Sequence, residues 1–369
     1  MQLSQASSVD RCWYFSASLS LGILLTMQTT KQHWFTLFLL ILAACQHKGQ
    51  TSTSSPSIQR HGLTHEVITS GSVADRQSAQ NADLAIFYAG EHQGNMETCG
   101  CPKRPRGSLP RLVSQIKGHT ERHPNTASLL VHGGWWLSDA MGTDGEIRAD
   151  VPVMNKHLID GLESASFDAV NVAYLDLPGL NGKTPPKWAV SANVKPTTAD
   201  QPAIAPSLRI KKNNLVIGVT GITKVDQSFS PNPAFRIEDP VKSAVKVLNE
   251  LKKSADILVL LTYDTPDEIK RIVAEVPELD VIIDTRQNRI ETPPIQIGDS
   301  IWVKSHYQTM RLGELRLQVG DKKQTARLVV DRKIDLDSEI PDDPSLNELM
   351  NNARAEINAI QSTLFGLDE

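Results

Sequence analysis

The 369 residues are 40% hydrophobic and 22% charged, with 22 Gly, 21 Pro and a formal net charge of -4. That balance describes a globular chain with one large domain or two small ones, and it excludes collagen-like, coiled-coil and wholly disordered classes. The mild acidity argues against nucleic acid as a partner. Four cysteines are too few for a disulfide framework.

The first informative segment is 27–45, MQTTKQHWFTLFLLILAAC. Lys31 and His33 precede an apolar run, Trp34 to Leu42, that ends in Ala43 and Ala44. A short basic region, a short apolar core and small residues make a secretory signal, so 1–44 reads as a signal peptide. The run is shorter than the roughly 20 residues a transmembrane helix needs. Leu42-Ala43-Ala44-Cys45 resembles a bacterial lipobox. The resemblance implies a lipoprotein in which Cys45 is lipidated, with palmitate, as the first mature residue. Gln46 supplies no acidic inner-membrane retention signal. The expected location is therefore the bacterial cell envelope, on the outer membrane facing the periplasm. Met27 is a candidate true start, with 1–26, including Cys12, an overextended reading frame. Residues 45–82 are polar, rich in Ser, Thr and Gln, and show no helical or strand period. They read as a flexible tether with a span of about 30 to 35 Å.

From Asp83 the texture changes. Strand-like apolar runs recur at 84–90, 128–134, 169–175, 215–222, 256–262, 280–284, 301–305 and 312–319. Helical patterns lie between them. Leu109 to Lys117 follows Gly107-Ser108, and Val153 to Leu162 has apolar residues at helical spacing. Asp239-Pro240 and Thr265-Pro266 are N-cap and N1 pairs that open two more helices. Strands alternating with helices imply an α/β domain over 83–333. The strands after Ile301 lack long helices and suggest an antiparallel addition. Residues 334–369 are acidic at first. After Asp343-Pro344, apolar residues from Leu346 to Leu364 keep a 3.6 period, the mark of an amphipathic helix.

Several phrases, in order, resemble the metallophosphoesterase domain of the 5′-nucleotidase family. LAIFYAGEHQG (84–94) stands where that family has Asn-Asp-x-His-Gly after a strand. GSLPRLVSQIK (107–117) stands at its Gly-Gly-Leu-Ala-Arg helix, and SLLVHGGWWLSD (128–139) at its Leu-x-Asp-x-Gly-Asp strand. FDAVNVAYLD (167–176) stands at Gly-Asn-His-Glu, and DVIIDTRQN (280–288) at Gly-Gly-His-x-His. The resemblance implies a single four-layered α-β-β-α sandwich with two divalent metals at the strand ends. Such metals would clamp a phosphate and activate a water. The matching ligand positions, however, are degenerate: Glu91, Gln93, Gly134, Tyr174, Leu175, Tyr263, Arg286 and Asn288. One carboxylate does not hold a two-metal site, and Arg286 suits a vacated cation position. His92 and His132 lie nearby in sequence but do not rebuild the set. Trp135 and Trp136 read as core or cleft wall.

Glu97-Thr98-Cys99-Gly100-Cys101-Pro102 follows the first strand. It resembles the Glu-Pro-Cys-Gly-Cys stretch of a bacterial branch of the same superfamily. Three readings of the cysteines stay open. They form a disulfide, suited to an exported protein; they hold a single Cu or Zn together with His92 or Glu97; or they are a relic. Lys103, Arg104 and Arg106 favour the thiolate. The expected function is a lipid-anchored pseudo-phosphoesterase that binds a protein or a small anion, or acts through its thiols. The alternatives are a divergent phosphohydrolase using Glu91, His92 and one metal, and a thiol redox or soft-metal protein at Cys99 and Cys101.

Overall fold

Strand residues that are apolar at every position have to be covered on both faces. That requirement organises the whole domain. In the computed structural model, residues 82–141, 146–225, 232–286, 292–320 and 326–366 are described. They belong to one compact unit. The signal segment, Cys45, the tether up to residue 81 and Asn288 lie outside the described residues.

One six-stranded sheet contains β1 (Leu84–Ala89), β2 (Ala127–His132), β3 (Ala169–Asn171) and β4 (Ala189–Val190), all parallel. The second contains β6 (Ser207–Lys212), β7 (Leu215–Thr223), β9 (Ile257–Tyr263), β10 (Val281–Asp284), β11 (Ile295–Ile297) and β12 (Ser300–Lys304). A two-stranded ladder pairs β5 (Val194–Pro196) with β8 (Phe235–Ile237). The first sheet is completed beside β1 by β13 (Arg311–Gln318) and β14 (Arg327–Asp335), both antiparallel to their neighbours.

Side-chain alternation assigns the layers. Leu84, Ile86 and Tyr88 of β1 pack in one core with Ile257, Val259 and Leu261 of β9, between the sheets. Ala85, Phe87 and Ala89 face the other way, into a core shared with α1 (Leu109–Arg122) and α2 (Val151–Ser164). Leu258 and Leu260 likewise face α4 (Pro240–Leu251) and α5 (Pro266–Glu275). The order is helix, sheet, sheet, helix, the four-layered sandwich that the sequence led us to expect.

Asp239 caps α4 by accepting the Lys242 N–H at 2.9 Å. The strand expected over 169–175 stops at Asn171. A 3₁₀ turn (Tyr174–Asp176) and α3 (Leu177–Leu180) follow, because the Asp176 carboxylate captures the backbone N–H of Ala173. β12 also corrects an expectation: it runs parallel to β10, so only β13 and β14 form the antiparallel addition to the first sheet. β14 continues two residues past the expected domain end at 333. The last helix, α6 (Pro344–Phe365), buries Leu346, Met350 and Ala353 against the helical core of the first sheet, while Leu364 is exposed. Among the described residues no helix is long and apolar enough to cross a membrane.

At their carboxyl ends the two sheets approach closely. Asn171 donates from Nδ2 to the Gly133 and Ile222 carbonyls, both at 2.9 Å, and so ties one sheet to the other. A Cβ on Gly133 would stand 1.7 Å from Thr285 Oγ1. Gly133→Ala is therefore expected to cost about 1–3 kcal/mol of stability, and Thr285→Ala in the same chain to restore only part of it, because the Thr285 Cβ would still stand 2.9 Å from the new methyl. Urea unfolding of the single and double variants checks this; equal stability of Gly133→Ala and wild type would refute the close approach.

Candidate functional site at the strand ends

Two loops leaving adjacent parallel strands build the site. The loop after β1 donates three backbone N–H groups to the loop after β2. Glu91 reaches Gly134 O at 3.1 Å, Gln93 reaches Trp135 O at 3.2 Å and Gly94 reaches Trp136 O at 2.8 Å. To make these bonds Glu91, Gln93 and Trp135 take left-handed φ values of 55°, 54° and 54°. Such conformations are costly for residues with a Cβ and persist only where surrounding bonds hold them. Asp176 supplies much of that hold. Its Oδ1 accepts Leu137 N–H at 2.8 Å, and its Oδ2 accepts Trp135 N–H at 3.1 Å and Ala173 N–H at 2.8 Å. Burial pushes its carboxyl up to about 8, against the downward pull of those amides. Sequence reading did not single out Asp176; its only signal was its place after Tyr174-Leu175.

The resemblance-derived ligand positions fall around this frame. Glu91, Tyr174 and Tyr263 are buried, while Gln93, Leu175 and Arg286 are half-buried. Gly134 has φ 127° and lies in the zipped loop. Trp135 and Tyr174 each meet the Tyr263 ring edge-on, at centroid distances of 6.3 and 5.9 Å. Burial, then the Glu91 charge, raises the Tyr263 phenol far above its ordinary range, while Arg286 opposes them. Arg286 donates from Nη1 to Lys224 O at 3.3 Å. Asp264 is pushed up to about 6 by burial, against the pull of the Thr265 amide and Lys224. The place of a metal pair is thus lined by two phenols, an indole, a guanidinium and the carboxyls of Glu91 and Asp264. Among the described residues no three His, Cys, Asp or Glu side chains are grouped to hold a metal ion. Phenols and a guanidinium are not a donor set for hard divalent cations, so this lining does not fit a dinuclear centre. Of the two adjacent tryptophans, Trp136 is fully buried and packs on Trp188, whereas Trp135 is half-buried beside Tyr263.

A histidine pair underlies the loops. His92 Nδ1 and His132 Nε2 are 2.9 Å apart and the rings stack. His132 Nδ1 accepts the Gly134 N–H at 3.1 Å. In the neutral rings this fixes the tautomers: His132 carries its proton on Nε2 and donates to His92 Nδ1, which leaves the His92 proton on Nε2. Among the described residues that Nε2 is buried without a partner, as are the Gln93 amide nitrogen and the Trp135 and Trp136 indole nitrogens. Among the described residues, four buried donors on these two loops are therefore without acceptors.

Cys99 and Cys101 stand apart from this cluster, on a hairpin between β1 and α1, and both are free thiols. The structure does not bring His92 or Glu97 to them. His92 is buried against His132, and Glu97 pairs with Arg354 of α6 at 2.7 Å. The three-ligand Cu or Zn site considered from sequence is not formed among the described residues.

No protein-family model matches the chain. An uncharacterized metallophosphoesterase of Bacillus subtilis, YunD, is 25% identical over 145 residues, which is 39% of this chain and 31% of that protein. NAD nucleotidase of Haemophilus influenzae superposes with a TM-score of 0.61 at 14% identity, over 75% of this chain and 60% of its own. The sulfate thiohydrolase SoxB of Thermus thermophilus gives 0.59 at 11% identity, over 74% and 61%. The calcineurin-like phosphoesterase YfkN of Bacillus subtilis gives 0.55 at 15% identity, over 76% of this chain and 99% of that one. The chain thus spans about a third of the length of YunD and about three fifths of the first two structures. These likenesses show the fold: the chain shares the architecture of the metallophosphoesterase-like domains of these proteins.

The histidine pair makes a pH test. Burial holds His92 down to about 4, and burial with the nearby His92 holds His132 well below its ordinary range. The unfolded chain accepts protons at these rings below about pH 6.5, and the folded chain does not. Their contribution is fully present above about pH 6.5 and is lost as the pH falls towards about 4. The raised carboxyls of Asp176, Asp264 and Asp284 act in the opposite sense in both proteins, so the test is the difference: between about pH 6.5 and 4 the urea midpoint of wild type should fall relative to that of His92→Gln. Parallel pH profiles for the two proteins would show that the pair does not carry the effect.

Proposed function

We propose that the chain keeps a phosphoesterase scaffold without dinuclear hydrolysis, and works by binding a small acceptor-rich ligand, an oxyanion, at the strand ends. The observation that carries this reading is the set of buried donors without partners among the described residues: His92 Nε2, Gln93 Nε2, Trp135 Nε1 and Trp136 Nε1. A buried polar group left unpaired costs about 1–3 kcal/mol. Ligand oxygens would recover that cost, and the half-buried Arg286 would add attraction for an anion. The degenerate donor set supports the loss of metal chemistry.

The test is twofold. Elemental mass spectrometry of protein purified without chelator should find no stoichiometric manganese, zinc or iron. Hydrolysis of nucleoside monophosphates should not depend on added divalent metal. Two equivalents of metal, with hydrolysis abolished by Glu91→Ala, would establish the phosphohydrolase alternative instead. Calorimetric titration with inorganic phosphate should show binding, and Trp135→Phe should weaken it about tenfold, the worth of one hydrogen bond near 1.4 kcal/mol.

Anchoring is part of the same proposal. The lipobox-like Leu42-Ala43-Ala44-Cys45 supports export, and a tether up to residue 82 supports a domain standing clear of a membrane. Cells fed a labelled palmitate should label the protein, and Cys45→Ala should abolish the label. Labelling that survives the substitution would place the lipid elsewhere.

A further inference from the structure

The Cys99–Cys101 hairpin is held on a rigid frame. Its stem is an antiparallel bridge between Thr98 and Gly107, and Cys99 N–H reaches Arg106 O at 2.7 Å. Gly107 N–H reaches Leu336 O at 2.8 Å, just past β14, and Leu109 N–H reaches Met96 O at 2.9 Å. Arg106 and Arg104 pair with Asp335 at 3.4 and 3.7 Å, and Arg104 also meets Asp337 at 3.7 Å. Strand, acidic segment and last helix therefore all brace a loop that would otherwise be a mobile surface turn.

Within that frame the two sulfurs differ. Cys99 is half-buried and its Sγ accepts the Arg106 N–H at 3.3 Å. The Cys101 N–H and thiol are also directed at it. Burial alone would push the Cys99 thiol up, but these donors and the Arg106 charge together hold it below its ordinary value. Cys101 is exposed, and its thiol is raised, chiefly by its hydrogen bond to Cys99. A Cβ on Gly100 would meet nothing within 4 Å, so the segment between the sulfurs stands in open space.

We propose that Cys99 and Cys101 are a reversible dithiol–disulfide couple that oxidises a cysteine-bearing protein partner. In the oxidised state a partner thiolate attacks the exposed Cys101 Sγ. The Cys99–Cys101 bond breaks and its electron pair leaves on Cys99, whose thiolate the Arg106 and Cys101 backbone N–H groups receive. A second partner thiolate then attacks the partner sulfur of the mixed disulfide, and Cys101 leaves as thiolate and takes a proton. One disulfide and two partner thiols become two thiols here and one disulfide there. Reoxidation runs the same steps backwards with a second protein disulfide. Two features favour this chemistry. A bridge over a single residue is a tight ring, and strain raises the oxidising power of a disulfide. A leaving thiolate of lower pKa also departs faster. Zinc, which takes four ligands, finds only two thiolates here and no third His, Cys, Asp or Glu among the described residues.

The full-length protein tests this directly. It would be equilibrated across a series of oxidised-to-reduced glutathione ratios, its thiols trapped with N-ethylmaleimide, and the peptide carrying both cysteines weighed. A single reversible two-electron transition, with both cysteines blocked together, is expected. In the reduced protein at about pH 6, iodoacetamide should label Cys99 at least about tenfold faster than Cys101, as a thiolate difference requires. The proposal is overturned by thiols that stay alkylated at every ratio, or by each cysteine carrying its own glutathione. It is equally overturned by one equivalent of Cu(I) bound to reduced protein and lost in the Cys99→Ser/Cys101→Ser variant, which would make the pair a metal site.

Discussion

The close approach of two sheets at their carboxyl ends is the constraint on which the site depends. Gly133 leaves room for Thr285, and a Cβ on Gly90 would stand 2.4 Å from Ser305 Oγ. On Gly221 it would stand 2.2 Å from Asn171 Oδ1. Each glycine faces a short polar side chain across the gap. The chains emerging there have no space to wander and must bond to each other. The three N–H groups of the first loop therefore find the carbonyls of the second, and Glu91, Gln93 and Trp135 accept left-handed φ angles as the consequence. A wider gap would let water take those bonds and would release the strain.

Within that frame, buried charge is held by neighbouring side chains and amides. A pair of divalent cations would stabilise several carboxylates at once. Here the buried acids at the ends of β9 and β10 rely on local partners. Asp284 lies 3.2 Å from Lys304 Nζ and accepts the Arg286 N–H at 3.1 Å, yet burial still pushes its carboxyl up to about 6. Asp264 sits at the same value with Lys224 and Arg286 opposing its burial. Tyr174 and Tyr263 contribute bulk and ring contacts instead of charge. Rings and locally paired acids therefore make up this floor.

The legible part of this structure is the part whose pattern is local. Runs such as 256–262 and 280–284 read as strands because both faces are buried, which makes every position apolar. Asp239-Pro240 read as a helix start because the cap and the fixed φ lie within two residues. The missed strands had no such mark. β4 has two residues, and β6, SLRIKK, lies at a sheet edge with polar residues facing out. The site was legible as a location, through the order of its phrases, but not as a set of contacts. His92 and His132 are 40 residues apart, and the Asp335 that steadies Arg106 is more distant still. Asp176 looked like one more acid after an apolar run. Its importance comes from amides on another loop, which sequence spacing does not encode.

The same bonds show what holds the two loops in place. In a small metal-dependent fold, the ligands supply the folding energy and removal of the ion unfolds the chain. Here the loops are held by backbone bonds between residues 91–94 and 134–136, by the Asp176 carboxylate, and by the Asn171 bridge between sheets. None of these uses a side chain from the degenerate ligand positions. At about 1 kcal/mol net for each ordinary hydrogen bond, half a dozen such bonds amount to several kcal/mol of local hold. That is enough to keep two strained loops in place while the side chains they present vary. The frame therefore does not depend on the side chains at those positions.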